Sequence, residues 1–345
     1  MISYYNRIVQ CDLQAIYEEN LDWREFERKA ILVTGATGLI ASYITNFLLF
    51  LKREKKMDIK IFVLCRTPHK SDLLYKDAIA NGEVTPIYQD VCDLIEIKNV
   101  DYIFHLAGNA SPYYILNDPV GIIRANVQGT MNVLELARRC KAKVFFASTR
   151  EVYGEVKGVT RLKENSFGIL DSMSPRSCYP ESKRAAESLL ISYFGQYGVP
   201  VYIARIAHTY GPGMNVNNDG RVMSDLIGNA LQGEDIVLKS NGEALRAFCY
   251  VSDTVSACMY IILKGKSGEA YNLSNETEEI SIKNLAEIIS SQVGTNVILE
   301  DSQTPNAYCN YVRVGLDTSK LEELGWTPQV SLGDGIKRTI NYDNK

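Results

Sequence analysis

"AILVTGATGLIASYITNFLLFL", residues 30–51, decides the fold. A short β-prone run, Ile31 to Thr34, meets a turn containing Gly35 and Gly38, and a helical apolar pattern starts at once. Strand, glycine turn and helix in that order form the first unit of a parallel, doubly wound sheet. Glycine lets the backbone turn tightly and approach a phosphate closely, and the helix N-terminus adds N–H donors and positive potential. Ala41, the third small position, lets the helix pack close to the strand.

Similar runs recur downstream: "IKIFVLCR" (59–66), "EVTPIYQD" (83–90), "VDYIFHLAG" (100–108), "AKVFFAST" (142–149) and "VPVYIARI" (199–206). Their apolar residues do not alternate with polar ones, which suits strands covered on both faces. Helical stretches separate most of them, the clearest at 118–140. The expected fold class is α/β, a doubly wound parallel sheet over 30–207. Residues 1–29 form a helical extension, with Leu13, Ile16, Tyr17 and Leu21 at helical spacing for packing. From residue 208 the texture turns to loops, a helix near 221–232, short strands and further helices, expected to form a smaller C-terminal α/β lobe over 208–345 that mainly binds substrate, with room for some segments to return to the sheet.

With 37 Lys and Arg against 41 Asp and Glu, the net charge of -4 is no nucleic-acid footprint. Eight cysteines stand singly, with no CxxC, as expected of reduced thiols in the cytoplasm. His69, His105 and His208 are too scattered for a zinc site, so no metal is expected. The longest apolar run near the N-terminus, "FLLFL", is too short to span a bilayer, and no membrane role is expected.

"SCYPESK", residues 177–183, puts Tyr179 four residues before Lys183, on one helix face. A free tyrosine is ionised about once in a thousand at pH 7. A cation within about 4–6 Å lowers an acid's pKa by about 1–3 units, so the pair can make a phenolate base. Upstream, "STREVYG" ends a strand with hydroxyls at Ser148 and Thr149 and a carboxylate at Glu151. Strand C-termini line the ligand crevice of such a sheet. The second strand ends "VLCRT", with no acid at Cys65, where one serves the adenosine ribose of NAD, and with a basic Arg66 beside it. An arginine there accommodates the 2′-phosphate of NADP; otherwise Arg66 is a solvated loop residue.

The ordered motifs "TGATGLIA", "QDVCD", "HLAGNASP", "STREVYG", "SCYPESK", "RIAHTYGPG", "DGRV", "RAFCYVSD" and "LEELGWTPQVSLGDGI" span residues 34–336. In them the chain resembles the extended short-chain dehydrogenase/reductases, the nucleotide-sugar epimerases, dehydratases and decarboxylases. Within that family it is most similar to the UDP-glucuronate decarboxylases, in "HLA…ASP", the Thr-x-Glu after strand five, and "PRSCYPESKR". The resemblance implies a Rossmann-type fold and an NAD or NADP cofactor. It places Gly35, Thr37, Gly38, Leu39 and Ile40 at the pyrophosphate, Arg66, Asp90 and Val91 around the adenosine, and Leu106, Ala107 and Gly108 on the nicotinamide side. Thr149, Glu151, Tyr179 and Lys183 form the implied catalytic group, with Tyr179 and Lys183 also touching the cofactor. Ser148, Arg150, His208, Arg221, Arg246 and Tyr250 are the implied contacts to a UDP-, dTDP-, CDP- or GDP-sugar. A homodimer through the 118–140 and 179–198 helices is also implied.

The implied chemistry opens with oxidation at sugar C4, after which a C5 carboxylate is lost as CO2, or C4 or C5 is epimerised. Three departures bear on the choice. Arg150 stands where similar 4,6-dehydratases carry an acid, and a guanidinium cannot serve as one. It could instead pair with a uronate carboxylate, or turn away from the pocket. His208 stands where many relatives have Asn. The missing acid after strand two, with Arg66 beside it, keeps open a second reading, an NADP-dependent keto-sugar reductase. A third is a binding protein on the same fold, against which stand Thr149, Tyr179 and Lys183 at the family's spacing.

Overall fold

The computed structural model describes residues 2–216, 220–238, 240–300 and 314–343. Seven parallel strands form the central sheet: β1 (Lys29–Thr34), β2 (Ile59–Cys65), β3 (Val84–Tyr88), β4 (Tyr102–His105), β5 (Lys143–Thr149), β6 (Val201–Ile206) and β7 (Glu269–Leu273). Their order is β7-β6-β5-β4-β1-β2-β3. This is the expected Rossmann-type arrangement, and β1 sits at the switch point where the order reverses.

The apolar runs are unbroken because both faces are covered. Ile31 and Val33 of β1 enter one core and Leu32 the other; Phe145 of β5 enters the first, Val144 and Phe146 the second. Helix α1 (Arg7–Glu18), α2 (Leu39–Glu54) and α3 (Pro68–Ala80) lie on the first face. On the second, α4 (Pro119–Cys140) and α5 (Cys178–Tyr197) pack side by side through Val133, Leu134, Ala137, Ala186 and Leu190. Helix α6 (Val251–Lys264) is buried along most of its length and returns the chain to the first face, against α1, α2, β5 and β6. Residues 208–343 thus contribute both α6 and the edge strand β7 to the central body.

The extension forms α1, capped by Asn6, whose side chain accepts from the Ile8 N–H at 2.8 Å. Val9, Leu13 and Ile16 pack inward. Asp12 is buried on the same helix and accepts from Tyr43 of α2 at 3.1 Å and from Tyr250 at 2.8 Å. Arg338, on helix α7 (Leu332–Asp343), donates to its other oxygen at 2.9 Å.

Strand β4 is shorter than the run at 100–108 because the chain bends after His105. The N–H groups of Leu106 and Ala107 donate to the Thr34 hydroxyl at 3.2 and 3.1 Å instead of to a neighbouring strand. The seven described cysteines are free thiols; Cys309 lies outside the described residues. Among the described residues no helix is long and apolar enough to cross a membrane, and no cluster of three metal-ligating side chains occurs.

Candidate active site

The crevice opens at the C-terminal ends of β1, β4 and β5. Gly35 has φ +66°, and a Cβ there would stand 2.8 Å from the Ala107 backbone, so only glycine lets the turn lie against the end of β4. Gly38 caps α2, and Thr37, Leu39 and Ile40 stay partly exposed around it. Gly108, at φ +147°, leaves open a space where a Cβ would meet Asn126 Oδ1 at 2.6 Å and Lys183 Nζ at 3.5 Å. Asn126 is fully buried on α4; its Nδ2 donates to Ser182 at 2.9 Å, while Oδ1 has no partner. A helix N-terminus behind a bare glycine turn, with an orphaned buried acceptor beside a buried ammonium, fits a dinucleotide.

Beneath this floor, His105 is completely buried. Its Nδ1 lies 2.8 Å from Thr34 Oγ1 and its Nε2 3.0 Å from Thr130 Oγ1. Burial, aided by the Lys183 charge, brings its pKa down to about 3, so the ring is neutral. It is a spacer joining β4 to β1 and α4.

Tyr179 and Lys183 lie one turn apart on the buried face of α5. Lys183 Nζ donates to the Ala147 carbonyl at 2.8 Å and sits 4.6 Å from the centre of the Phe146 ring. Burial pulls its pKa down to about 8, against the opposing pull of Glu187. Burial also pushes the Tyr179 phenol well above its usual value, and Glu151 adds to that; Thr149, Arg176 and Arg221 pull it back. The groups that temper the phenol are therefore a hydroxyl and two arginines, whereas the i, i+4 spacing points to Lys183. The physical reason is that the ammonium is drawn back onto β5.

Glu151 is the second residue of the short 3₁₀ turn Arg150–Tyr153 after β5, and its N–H donates to Thr149 Oγ1 at 3.2 Å. Arg176 grips the Glu151 carboxylate with both terminal nitrogens, at 2.6 and 3.3 Å. Arg176 was not singled out from sequence, because nothing local links residues 25 apart. Asn126 was also missed, yet it left a trace: a polar residue in the buried stripe Ile122, Asn126, Thr130, Val133.

Other candidates fall elsewhere. Tyr250 is no crevice residue: it is fully buried, and its hydroxyl is spent on Asp12 of α1. The Ser148 hydroxyl donates to Glu187 at 2.5 Å, and Glu187 in turn holds Arg205 at 2.7 Å, so Ser148 braces β5 against α5. Arg150 Nη2 donates to the Val314 carbonyl at 3.0 Å. Arg221 precedes the helix Val222–Leu231 and is exposed, as is His208, whose ring lies 5.6 Å from Phe248. Arg246 is half-buried and donates to the Leu245 carbonyl at 2.7 Å. After β3, Val91 is buried under Gly129, Asp90 accepts the Cys92 N–H at 2.9 Å, and Arg66 lies 3.7 Å from Asp90.

The sequence pattern of the NAD dependent epimerase/dehydratase family matches residues 31–274. The chain belongs to that family. It is 37% identical over 322 residues to UDP-glucuronic acid decarboxylase 1 of Xenopus tropicalis, covering 93% of this chain and 73% of that one. Among solved structures it is similar to the UDP-glucose 4-epimerase of Thermotoga maritima with UDP-glucose (TM-score 0.75, 25% identity, 91% and 98% of the two chains). It is also similar to the dTDP-glucose 4,6-dehydratase DesIV of Streptomyces venezuelae with NAD bound (TM-score 0.76, 26% identity, 91% and 96%). It is an enzyme of this nicotinamide-dependent family acting on nucleotide sugars.

Proposed function

We propose that this enzyme removes CO2 from a UDP-glucuronate-like nucleotide sugar through transient oxidation at C4. The observation that carries the choice is the Glu151 carboxylate at the end of β5, held beside Tyr179, with Arg150 rather than an acid before it. The relative at 37% identity bears the name of a decarboxylase.

Tyr179 Oη takes the proton of the C4 hydroxyl, and Thr149 Oγ1 hydrogen-bonds the same oxygen. Lys183 and Asn126 would hold the nicotinamide-side ribose of the cofactor, and the Gly35–Gly38 turn its pyrophosphate. A bound nicotinamide would supply reversible hydride acceptance at C4, so that no reductant would be consumed. A ketone at C4 makes the C5 carboxylate a β-keto acid. Its C5–C6 bond breaks, CO2 leaves, and the electron pair passes through C5 onto the C4 oxygen. The carbanion equivalent at C5 takes one proton drawn from solvent, and Glu151, paired with Arg176, is the group placed to relay it. Arg221 and Arg246 take the diphosphate, for which the planar guanidinium fork is suited.

We further read the protein as a cytoplasmic homodimer. Val120, Ile123 and Met131 of α4 and Ile191, Phe194 and Tyr197 of α5 are exposed apolar side chains on the two helices expected to pair. The test is incubation of the purified chain with UDP-glucuronate and, separately, UDP-glucose, following product mass and nicotinamide absorbance. Release of CO2 from UDP-glucuronate without net nicotinamide turnover is expected. An isomeric product of unchanged mass, or stoichiometric NADPH consumption with a keto sugar, sinks the proposal.

A further inference from the structure

We infer that the start of the chain is a positioning element for the sugar-nucleotide side of the crevice, with Ile2 seated against the 211–216 loop and steadying the helix that follows Arg221. The family pattern begins at residue 31, so the extension lies outside it. Ile2 and Tyr4 are nevertheless buried, ahead of α1. Tyr4 is fixed from two sides: its carbonyl accepts from Gln10 Nε2 at 2.5 Å, and its ring lies 4.6 Å from the Arg53 guanidinium of α2, which pairs with Glu83. The three donors on Asp12 tie α1 itself to the body.

Ile2 lies against Gly213. A Cβ on that glycine would stand 2.9 Å from both the nitrogen and the Cβ of Ile2, and φ there is +84°. Contact and backbone conformation both require glycine at this point. The loop on which Ile2 bears is fastened to the helix Val222–Leu231 in two places. The Ser224 hydroxyl donates to the Asn215 carbonyl, and the Val216 carbonyl fills the space where a Cβ on Gly228 would be. Arg221 is the N-cap of that helix, and its carbonyl accepts the Asp225 N–H at 2.9 Å. Close-packed contacts transmit displacement, so a slack Ile2 lets the loop, the helix and Arg221 move together.

The inference rests on the proposed function for the role of Arg221. The experiment pairs steady-state kinetics on UDP-glucuronate with calorimetric titration of the purified full-length chain by UDP and, separately, by NAD+ and NADP+. Ile2→Ala, which truncates the buried side chain, is expected to raise KM about fivefold and weaken UDP several-fold. Its kcat and dinucleotide affinity should stay within about twofold, and Ile2→Val should retain most of the affinity. Ser224→Ala, which frees the loop at its other fastening, should shift KM and UDP in the same direction with Ile2 intact. Tyr250→Phe, which loosens α1 at Asp12, is the control for stability alone and should leave both values in place. Unchanged KM and UDP affinity in Ile2→Ala and Ser224→Ala overturn the inference. So does a fall in kcat at constant KM, or a parallel loss of dinucleotide affinity, either of which marks general loosening. Weakened UDP binding in a chain that releases no CO2 from UDP-glucuronate defeats the proposed function alone; failure of the unaltered chain to bind UDP defeats both.

Discussion

On the β5–α5 side of the crevice, Thr149, Tyr179 and Lys183 are buried, and the hydrogen bonds of Thr149 and Lys183 run to the same two elements and the turn between them. On the side built from residues 208–250, Arg221 and His208 stand exposed and Arg246 is half-buried. Under the proposed function, the contrast follows from what each side must do. Groups that exchange a proton with one sugar oxygen need fixed positions, and burial with internal partners supplies them at the cost of shifted pKa values. Groups that gather a diphosphate act at longer range, and their charges keep full strength only once the ligand displaces water.

The comparison can be broken most forcefully at Tyr179. Tyr179→Phe should cost about 10²–10⁴ in turnover, the usual worth of a positioned acid–base group, while dinucleotide binding by titration persists. Next is Arg176→Gln, which leaves Glu151 unneutralised beside the phenol. Turnover should fall about 10–100-fold. The sign of the pH effect is set by the loss of a group that pulls Tyr179 down: its pKa rises further, so the acidic limb of the pH–rate profile moves to higher pH. A merely structural role would lower the rate without moving that limb.

On the exposed side, Arg246→Ala should raise KM for the nucleotide sugar about tenfold with kcat nearly unchanged, the mark of uniform binding. A smaller effect sharpens the buried side. The Lys183 ammonium, with its pKa near 8, is charged below that value and loses its charge above it. Dinucleotide affinity should hold steady below pH 8 and decline several-fold above it. The bound ligand itself favours the ammonium and shifts the decline upward; Lys183→Met should flatten the profile. Smallest at the site is Tyr250→Phe, which should leave KM alone. It removes one donor from the buried Asp12, so urea unfolding should report a loss of about 1–3 kcal/mol.

The first strand, its turn and α2 could be read directly, because unbroken apolar runs and local glycine geometry are properties of neighbouring residues. The same holds for the Tyr179–Lys183 helix. Strand β7 was harder: "EAYNL" carries Glu269 and Asn272, and Asn272 is tolerated in the core only because it donates to the Leu162 and Asp317 carbonyls and accepts from Tyr153. Tyr250 misleads for a related reason. The family resemblance alone implies it as a sugar contact, but a helix more than two hundred residues earlier covers it and claims its hydroxyl. Long-range polar pairing of this kind, Glu151 with Arg176 included, leaves no periodic signature in a single sequence.

Asp12 receives its third donor from a residue 326 positions later. The carboxylate's charge thus meets its guanidinium partner only after the whole of the intervening sheet has been made, so closure of this corner is a high-contact-order event that local folding of α1 cannot complete.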